Sequence, residues 1–178
     1  MVTAARRMPK QKPGESKQDY GTPPELIKAV EARFGPLDVD LAARADNAVA
    51  GIFVPPEADS LRVDWGIFAT ENCWLNPEFA RIEPWAAKCA SADSVMREEG
   101  GSIFLLVPLA SSANWWAKHV HRRATVLMLR GRVQFIGAPW SSPFSVALCI
   151  YGKYNTSPHE YELWEWRESS LSRAKEAQ

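Results

Sequence analysis

The sequence predicts an α/β fold that is Rossmann-like in its general build, and three observations lead to this prediction. Short apolar runs of strand length alternate with segments whose apolar residues recur at helical spacing. The run Ser102–Pro108 is apolar almost throughout, which is typical of a strand covered on both faces. With 178 residues, 46% of them hydrophobic, the chain can bury one core and is expected to form one domain.

The elements are predicted from the amino end onwards. Thr22 is expected to cap a first helix through a capping box with Glu25, and Gly35 with Pro36 is expected to end that helix. An alternating run over 37–43 predicts the first strand. Further strands are predicted near 52–54, 73–76, 102–108, 124–129 and 145–151, and further helices near 82–89 and 114–120.

Both ends of the chain are expected to lie outside a domain spanning 19–155. Residues 1–18 have five basic side chains against one acidic one, which predicts a disordered basic arm. The arm is either a solvated tail or a contact for phosphates. Residues 156–178 are rich in Trp and Glu and are expected to form a helix that packs on the domain and frays.

Composition limits the possible functions. The 21 basic and 21 acidic residues give no net charge, so the totals imply no general electrostatic attraction to nucleic acid. The three cysteines are widely spaced in apolar surroundings, as expected for reduced core residues of a cytoplasmic protein. No signal peptide or membrane-spanning run is found in the sequence.

The stretch Cys73–Phe79 is the leading candidate for chemistry. An apolar run stops at Asn76-Pro77, so the strand is expected to end there, at the sheet edge where α/β proteins bind ligands. The Asn76 side-chain oxygen and the Pro77 carbonyl could accept both hydrogens of an exocyclic amine and localise its lone pair for attack on a methyl group. Phe79 could stack on a flipped base. The competing interpretation is a turn that merely ends a strand.

Acidic residues near the first strand have three interpretations. Asp38 and Asp40 could orient a nucleotide-like cofactor at the strand end. Together with Asp46 they could instead hold Mg²⁺, as in a nuclease or a phosphoryl transferase. They could also form only local turns with the backbone.

Six motifs in a fixed order resemble the small DNA N6-adenine methyltransferases of phages and prophages. Over residues 20–151 they are Tyr20-Gly21-Thr22-Pro23, Asp38-Val39-Asp40-Leu41-Ala42, Asp64-Trp65, Trp74-Leu75-Asn76-Pro77-Glu78-Phe79, Leu106-Val107-Pro108 and Gly131-Arg132-Val133-Gln134-Phe135. The stretch Ser142–Ala147 is similar to the closing strand of that family.

The resemblance implies a Rossmann-like methyltransferase fold with a mixed central sheet and S-adenosylmethionine as the methyl donor. It also implies double-stranded DNA with a flipped-out target base as the partner and a phage- or prophage-encoded protein in the bacterial cytoplasm. No metal is expected, because methyl transfer from a sulfonium needs no Lewis acid and the sequence offers no convincing ligand cluster. The protein is expected to be a monomer or a weak homodimer. The implied catalytic residues are Asn76, Pro77, Glu78 and Phe79. The implied cofactor residues are Tyr20, Thr22, Pro23, Asp38, Asp40, Leu41, Ala42, Asp59, Asp64 and Asn76. The candidate DNA contacts are Arg6, Arg7, Lys10, Lys12, Arg81, Arg130 and Arg132.

The chain departs from the family pattern at two places. Glu78 stands where the family motif usually has a second proline, and small alanines replace the glycines that many methyltransferases have after the first strand. N4-cytosine methylation is the nearest competing activity, because the Asn-Pro corner would serve any exocyclic amine. The sequence is also compatible with a catalytically weakened DNA-binding relative and with the Mg²⁺-dependent nuclease.

Overall fold

The structure, a computed structural model, describes residues 20–156 and 160–167. The predicted basic arm, with Arg6, Arg7, Lys10 and Lys12, lies outside the described residues, as does most of the predicted tail. The helices are α1 (Pro24–Phe34), α2 (Ile82–Glu99) and α3 (Asn114–His119). The strands are β1 (Val39–Asp40), β2 (Ile52–Phe53), β3 (Asn72–Leu75), β4 (Ser102–Pro108), β5 (Thr125–Leu129), β6 (Val146–Gly152) and β7 (Tyr161–Trp164).

The seven strands of the described residues form one mixed sheet in the order β2-β1-β3-β4-β6-β5-β7. The first four strands in that order run parallel, β6 runs antiparallel to both β4 and β5, and β7 runs parallel to β5. The predicted α/β class with a mixed sheet is therefore confirmed. Because β1 and β3 are parallel neighbours, their carboxyl ends meet at one edge of the sheet.

Side chains on the two faces of the sheet belong to two separate hydrophobic cores. On β3, Trp74 belongs to the core that α1 covers, whereas Cys73 and Leu75 belong to the core covered by α2 and α3. Successive residues of a strand point to opposite faces, so a fully buried strand such as β4 supplies both cores. The result is a three-layer arrangement with the sheet in the middle.

The start of α1 differs from the prediction. Pro23 occupies the N-cap position of the helix, and no side chain makes a capping hydrogen bond there. Pro23 and Pro24 have no backbone N–H, so this end of the helix has fewer donors for a cap to satisfy. The Thr22 hydroxyl accepts a hydrogen bond from Asn76 instead, at 3.2 Å. The predicted capping box is therefore wrong.

The predicted C-terminal helix is also wrong over Tyr161–Trp164. This segment is β7, which pairs with the outer edge of β5 and thereby satisfies backbone groups that β5 would leave open. Glu162 accepts two hydrogen bonds of 2.7 Å from the Arg33 guanidinium of α1, and Trp164 is buried. Pairing with β5 and side-chain packing at this edge decide the conformation, and Tyr161 and Trp164 are themselves residue types that favour strands.

The three cysteines are buried and free, as predicted. Burial is the main cause that raises the pKa of the Cys73 thiol to about 12, so this thiol stays protonated at neutral pH. Among the helices of the described residues, none has the length and apolar character needed to span a membrane.

Candidate active site

A cleft of about 320 Å³ opens at the edge where β1 and β3 end. Its walls come from the segment 20–22, from the ends of β1 and β3, and from the loop that follows β2. Trp85 of α2 also lines it. Its size is within the range of small-molecule sites, and it lies where open α/β sheets bind ligands.

The side chain of Asn76 is held in one orientation at the end of β3. Its Nδ2 atom donates to the backbone oxygen of Tyr20 and to the Thr22 hydroxyl, each at 3.2 Å. A carbonyl oxygen can only accept, so the amide nitrogen must face Tyr20. The Asn76 side-chain oxygen is therefore turned away from this segment and is available as an acceptor.

Residues 76–79, called here the 76–79 corner, continue from the strand into a short 3₁₀ turn. Pro77 is buried and Glu78 is exposed, and both line the cleft with Asn76. The Phe79 ring is half-buried and meets Phe135 edge-on, with ring centroids 5.8 Å apart. Phe79 thus joins the corner to the segment that follows β5.

Asp40 lies at the carboxyl end of β1 and is 3% exposed. Its two carboxylate oxygens accept hydrogen bonds from the backbone N–H groups of Ala42 and Val49, at 3.2 and 3.1 Å. Burial raises the pKa of this carboxyl, and the two hydrogen bonds oppose that rise. Asp40 therefore orders the loop after β1 while it lines the cleft.

The predicted cofactor residues separate into two groups. The residues that line the cleft are Tyr20, Thr22, Asp40, Ala42, Asp59 and Asn76. Four predicted residues are not among the cleft-lining ones: Pro23, Asp38, Leu41 and Asp64. Pro23 occupies the N-cap position of α1, and Asp38 accepts a hydrogen bond from the backbone N–H of Asn72 at the opposite end of β3. Leu41 is buried, and Asp64 accepts a hydrogen bond from the backbone N–H of Gly66.

The loop after β2 is fastened to α2 by Lys88. Its ammonium donates to the backbone oxygens of Ser60 at 3.0 Å and Leu61 at 2.9 Å, and also to that of Val63. It also lies 4.6 Å from the centre of the Trp65 ring, whose N–H donates to the Ser60 hydroxyl. This arrangement holds Asp59 and Ser60 against the cleft.

Sequence reasoning missed several residues that line the cleft. Trp74 is one of them; it is fully buried, and its indole N–H has no hydrogen-bond partner among the described residues. Arg44 and Asn47, in the loop after β1, are two more. The position of Trp74 two residues before Asn76, on the same side of the strand, is the signal that could have identified it.

The predicted DNA-contacting side chains do not form one cluster of unpaired charges within the described part of the chain. Arg81 is exposed beside the corner. Arg130 forms an ion pair with Glu165, and Arg132 donates to the Pro143 backbone oxygen at 2.6 Å. The described residues contain no group of three His, Cys, Asp or Glu side chains placed to hold a metal ion.

A ligand-sized cleft at the carboxyl edge of parallel strands, beside an amide whose oxygen is available, is the arrangement expected of a methyltransferase acting on an exocyclic amine. The sequence model of the family described as DNA N-6-adenine-methyltransferase (Dam) matches residues 10–155. The chain therefore belongs to this family.

Two phage proteins, each named DNA N-6-adenine-methyltransferase, are similar to the chain. It is 28% identical to the protein of Escherichia phage T1 over 110 residues, which cover 62% of this chain and 44% of that protein. It is 26% identical to the protein of Haemophilus phage HP1 (strain HP1c1) over 119 residues, covering 66% of this chain and 65% of that one. The matched region thus spans less than two thirds of either relative.

Proposed function

We propose that this protein transfers a methyl group from S-adenosylmethionine to the N6 amine of adenine in double-stranded DNA, with the target base flipped out of the duplex. The observation that carries the proposal is the orientation of Asn76, whose amide nitrogen is engaged by Tyr20 and Thr22 while its oxygen is left to accept. Family membership and the names of the two phage relatives support the same activity.

The cleft suits the proposed methyl donor. S-adenosylmethionine supplies an electrophilic methyl group on a positively charged sulfur, and it carries an amino acid end and a nucleoside end. The acidic side chains of Asp40 and Asp59, which line the cleft, suit its positive charge and its hydroxyl groups. The unpartnered, buried N–H of Trp74 requires an acceptor, which a carboxylate or a ring nitrogen of such a ligand would provide.

The 76–79 corner would activate the amine. An adenine amine is a weak nucleophile because its lone pair is delocalised into the ring. If the Asn76 side-chain oxygen and the Pro77 backbone oxygen accept its two hydrogens, the nitrogen is drawn towards a tetrahedral shape and its lone pair is directed at the methyl group. Since these contacts strengthen as the nitrogen changes shape, they lower the barrier more than they improve binding.

We include in the same proposal that the domain has the Rossmann-like methyltransferase fold. The four parallel strands, with helices on both faces of the sheet and the antiparallel β6 next to β4, support a Rossmann-like methyltransferase domain over residues 19–155. In the proposed complex, DNA would approach the open side of the cleft near Arg81.

Incubation with labelled S-adenosylmethionine and unmethylated DNA, followed by digestion to nucleosides, tests the activity. We expect label in N6-methyladenine. Label in N4-methylcytosine would replace adenine by cytosine as the target, and no label in either would refute the proposal.

The Asn76→Ala variant tests the role of the corner. We expect this variant to bind S-adenosylmethionine with nearly unchanged affinity and to lose methyl transfer, because the lost contact acts in the chemical step. Asn72→Ala is the matched control, since Asn72 lies at the other end of β3 and donates to the Pro36 backbone oxygen. Near-parental turnover by Asn76→Ala would contradict the assigned role.

A further inference from the structure

We infer that Thr22 is a positioning residue of the methyl-transfer reaction: together with the Tyr20 backbone oxygen, its hydroxyl fixes the Asn76 amide with the oxygen facing the target amine. This inference rests on the proposed function and deepens it. It changes the role that the family resemblance gave Thr22, from a contact with the cofactor to a contact with Asn76.

The side-chain nitrogen of Asn76 is fully paired. An amide NH₂ group has two hydrogens, and two acceptors lie at 3.2 Å from it, the Tyr20 backbone oxygen and Thr22 Oγ1. Both hydrogens are therefore used. Rotation of the amide by half a turn would bring its oxygen against the Tyr20 oxygen, where two acceptors repel each other. The flipped state also leaves the NH₂ group, a donor, facing the amine.

The Thr22 hydroxyl makes no capping hydrogen bond to the helix that it precedes. The residue in the capping position of α1 is Pro23, which makes no side-chain capping bond, and Pro24 at the first helical position has no N–H. Thr22 is only 5% exposed, so water has little access to compete for its hydroxyl. The bond with Asn76 links residues that are 54 positions apart.

The segment 20–22 is anchored independently of Asn76. Gly21 exchanges two backbone hydrogen bonds with Ile136, at 3.2 and 2.8 Å. A Cβ atom at position 21 would lie 3.3 Å from the Ile136 Cβ, so glycine permits this close approach. Both acceptors of the Asn76 nitrogen are therefore held by the segment that follows β5, and they form a fixed reference for the amide.

A positioning role predicts an effect on turnover and not on cofactor affinity. Without the Thr22 hydroxyl, one Asn76 N–H loses its acceptor and the amide samples other orientations, in which its oxygen no longer meets the amine. The loss of one hydrogen bond of this kind predicts a kcat lower by about fivefold to tenfold. The Kd of S-adenosylmethionine should change by less than about twofold, because in this role the Thr22 oxygen acts on Asn76 and not on the cofactor.

The experiment compares Thr22→Val with Thr22→Ser. Valine has the same shape as threonine and lacks the hydroxyl, whereas serine keeps the hydroxyl and lacks the methyl group. Thr70→Val is the matched control, because the Thr70 hydroxyl donates to the side chain of the adjacent Glu71 and Thr70 does not line the cleft. For each protein, kcat and KM are measured on the same DNA, and the Kd of S-adenosylmethionine is measured by calorimetry without DNA.

We expect kcat to fall in Thr22→Val, to recover in Thr22→Ser and to stay unchanged in Thr70→Val, with cofactor affinity constant throughout. Parental kcat in a folded Thr22→Val would overturn the inference. Weaker cofactor binding at unchanged kcat would also overturn it and make Thr22 a cofactor ligand. If Thr22→Val does not fold, Thr22→Ala and Thr22→Ser give the same comparison. Absence of adenine methylation by the parental protein refutes the proposed function itself, and is seen before any variant is made.

Discussion

Replacing Lys88 by methionine should loosen the wall of the cleft that the loop after β2 forms. Methionine keeps most of the length and apolar volume of the lysine stem but has no ammonium group to donate. Three backbone oxygens, those of Ser60, Leu61 and Val63, then lose a charged donor. Hydrogen bonds from charged groups contribute up to about 3 kcal/mol each, but Lys88 is partly exposed and water can replace it, so we take about 1 kcal/mol for each bond.

The expected consequence is a local opening of the 59–65 loop with a free-energy change of about 2 to 3 kcal/mol in favour of the open state. If S-adenosylmethionine binds only the closed loop, its Kd rises by at most the same free energy, which is about 30-fold to 150-fold. The rise in Kd is smaller if most molecules of the cofactor-free variant still have the closed loop.

Hydrogen exchange of the backbone amides in 59–65 is the direct assay, and calorimetry gives the cofactor affinity. Lys118→Met is the matched control: Lys118 is exposed and pairs with Glu83 at 3.2 Å, so its loss should change stability by less than about 0.5 kcal/mol. Unchanged amide protection of 59–65 in Lys88→Met, or a loss equal to that of Lys118→Met, would refute the reasoning.

Three further predictions concern other parts of the chain. Glu78→Pro should keep the fold and should not reduce methyl transfer, because proline stiffens the corner and removes an exposed carboxylate beside the cleft; turnover and circular dichroism measure this. Glu162→Gln should destabilise the domain by less than about 1 kcal/mol in urea unfolding near neutral pH, because it weakens an exposed ion pair. Removal of residues 1–18 should weaken DNA binding modestly and flatten its salt dependence, because five basic side chains are lost.

Each of these predictions has a defined contrary outcome. A folded Glu78→Pro with activity reduced tenfold or more would mean that the glutamate is functional. The hydrogen bond from Arg33 lowers the pKa of Glu162 in the folded protein. The stabilisation of the domain by this pair is therefore present above the pKa of the unfolded chain, about 4.3, and is lost as pH falls through the lower pKa of the folded protein. A difference between parent and Glu162→Gln that persists at a pH of about 2 would contradict this. An unchanged slope of log affinity against log salt would make the arm a solvated tail.

The sequence by itself was sufficient for features that depend on neighbouring residues. The apolar runs located β4 and β6 to within a residue or two, because a strand buried on both faces is apolar at nearly every position. The Asn76-Pro77 pair located the end of β3, because proline has no donor to continue the ladder. The buried, free cysteines also followed from their apolar surroundings.

Tertiary structure decided the features that depend on residues far apart in the chain. Local pattern assigned Thr22 to a helix cap, whereas its hydroxyl is paired with Asn76 of a different element. Alternation along the first strand allowed Asp38 and Asp40 to share a site, but their carboxylates bind backbone groups in different places, those of Asn72 and of the loop after β1.

The conformation of the described part of the tail and the wall of the cleft also depend on contacts between residues far apart in the chain. Residues 161–164 lie in the segment predicted as a helix, yet they form a strand because β5 has an open edge and Arg33 holds Glu162. Nothing in the order of residues indicates that Lys88 fastens the loop containing Ser60. A hydrogen bond between distant residues depends on where the sheet and helices bring them, and only packing of the whole domain fixes that distance.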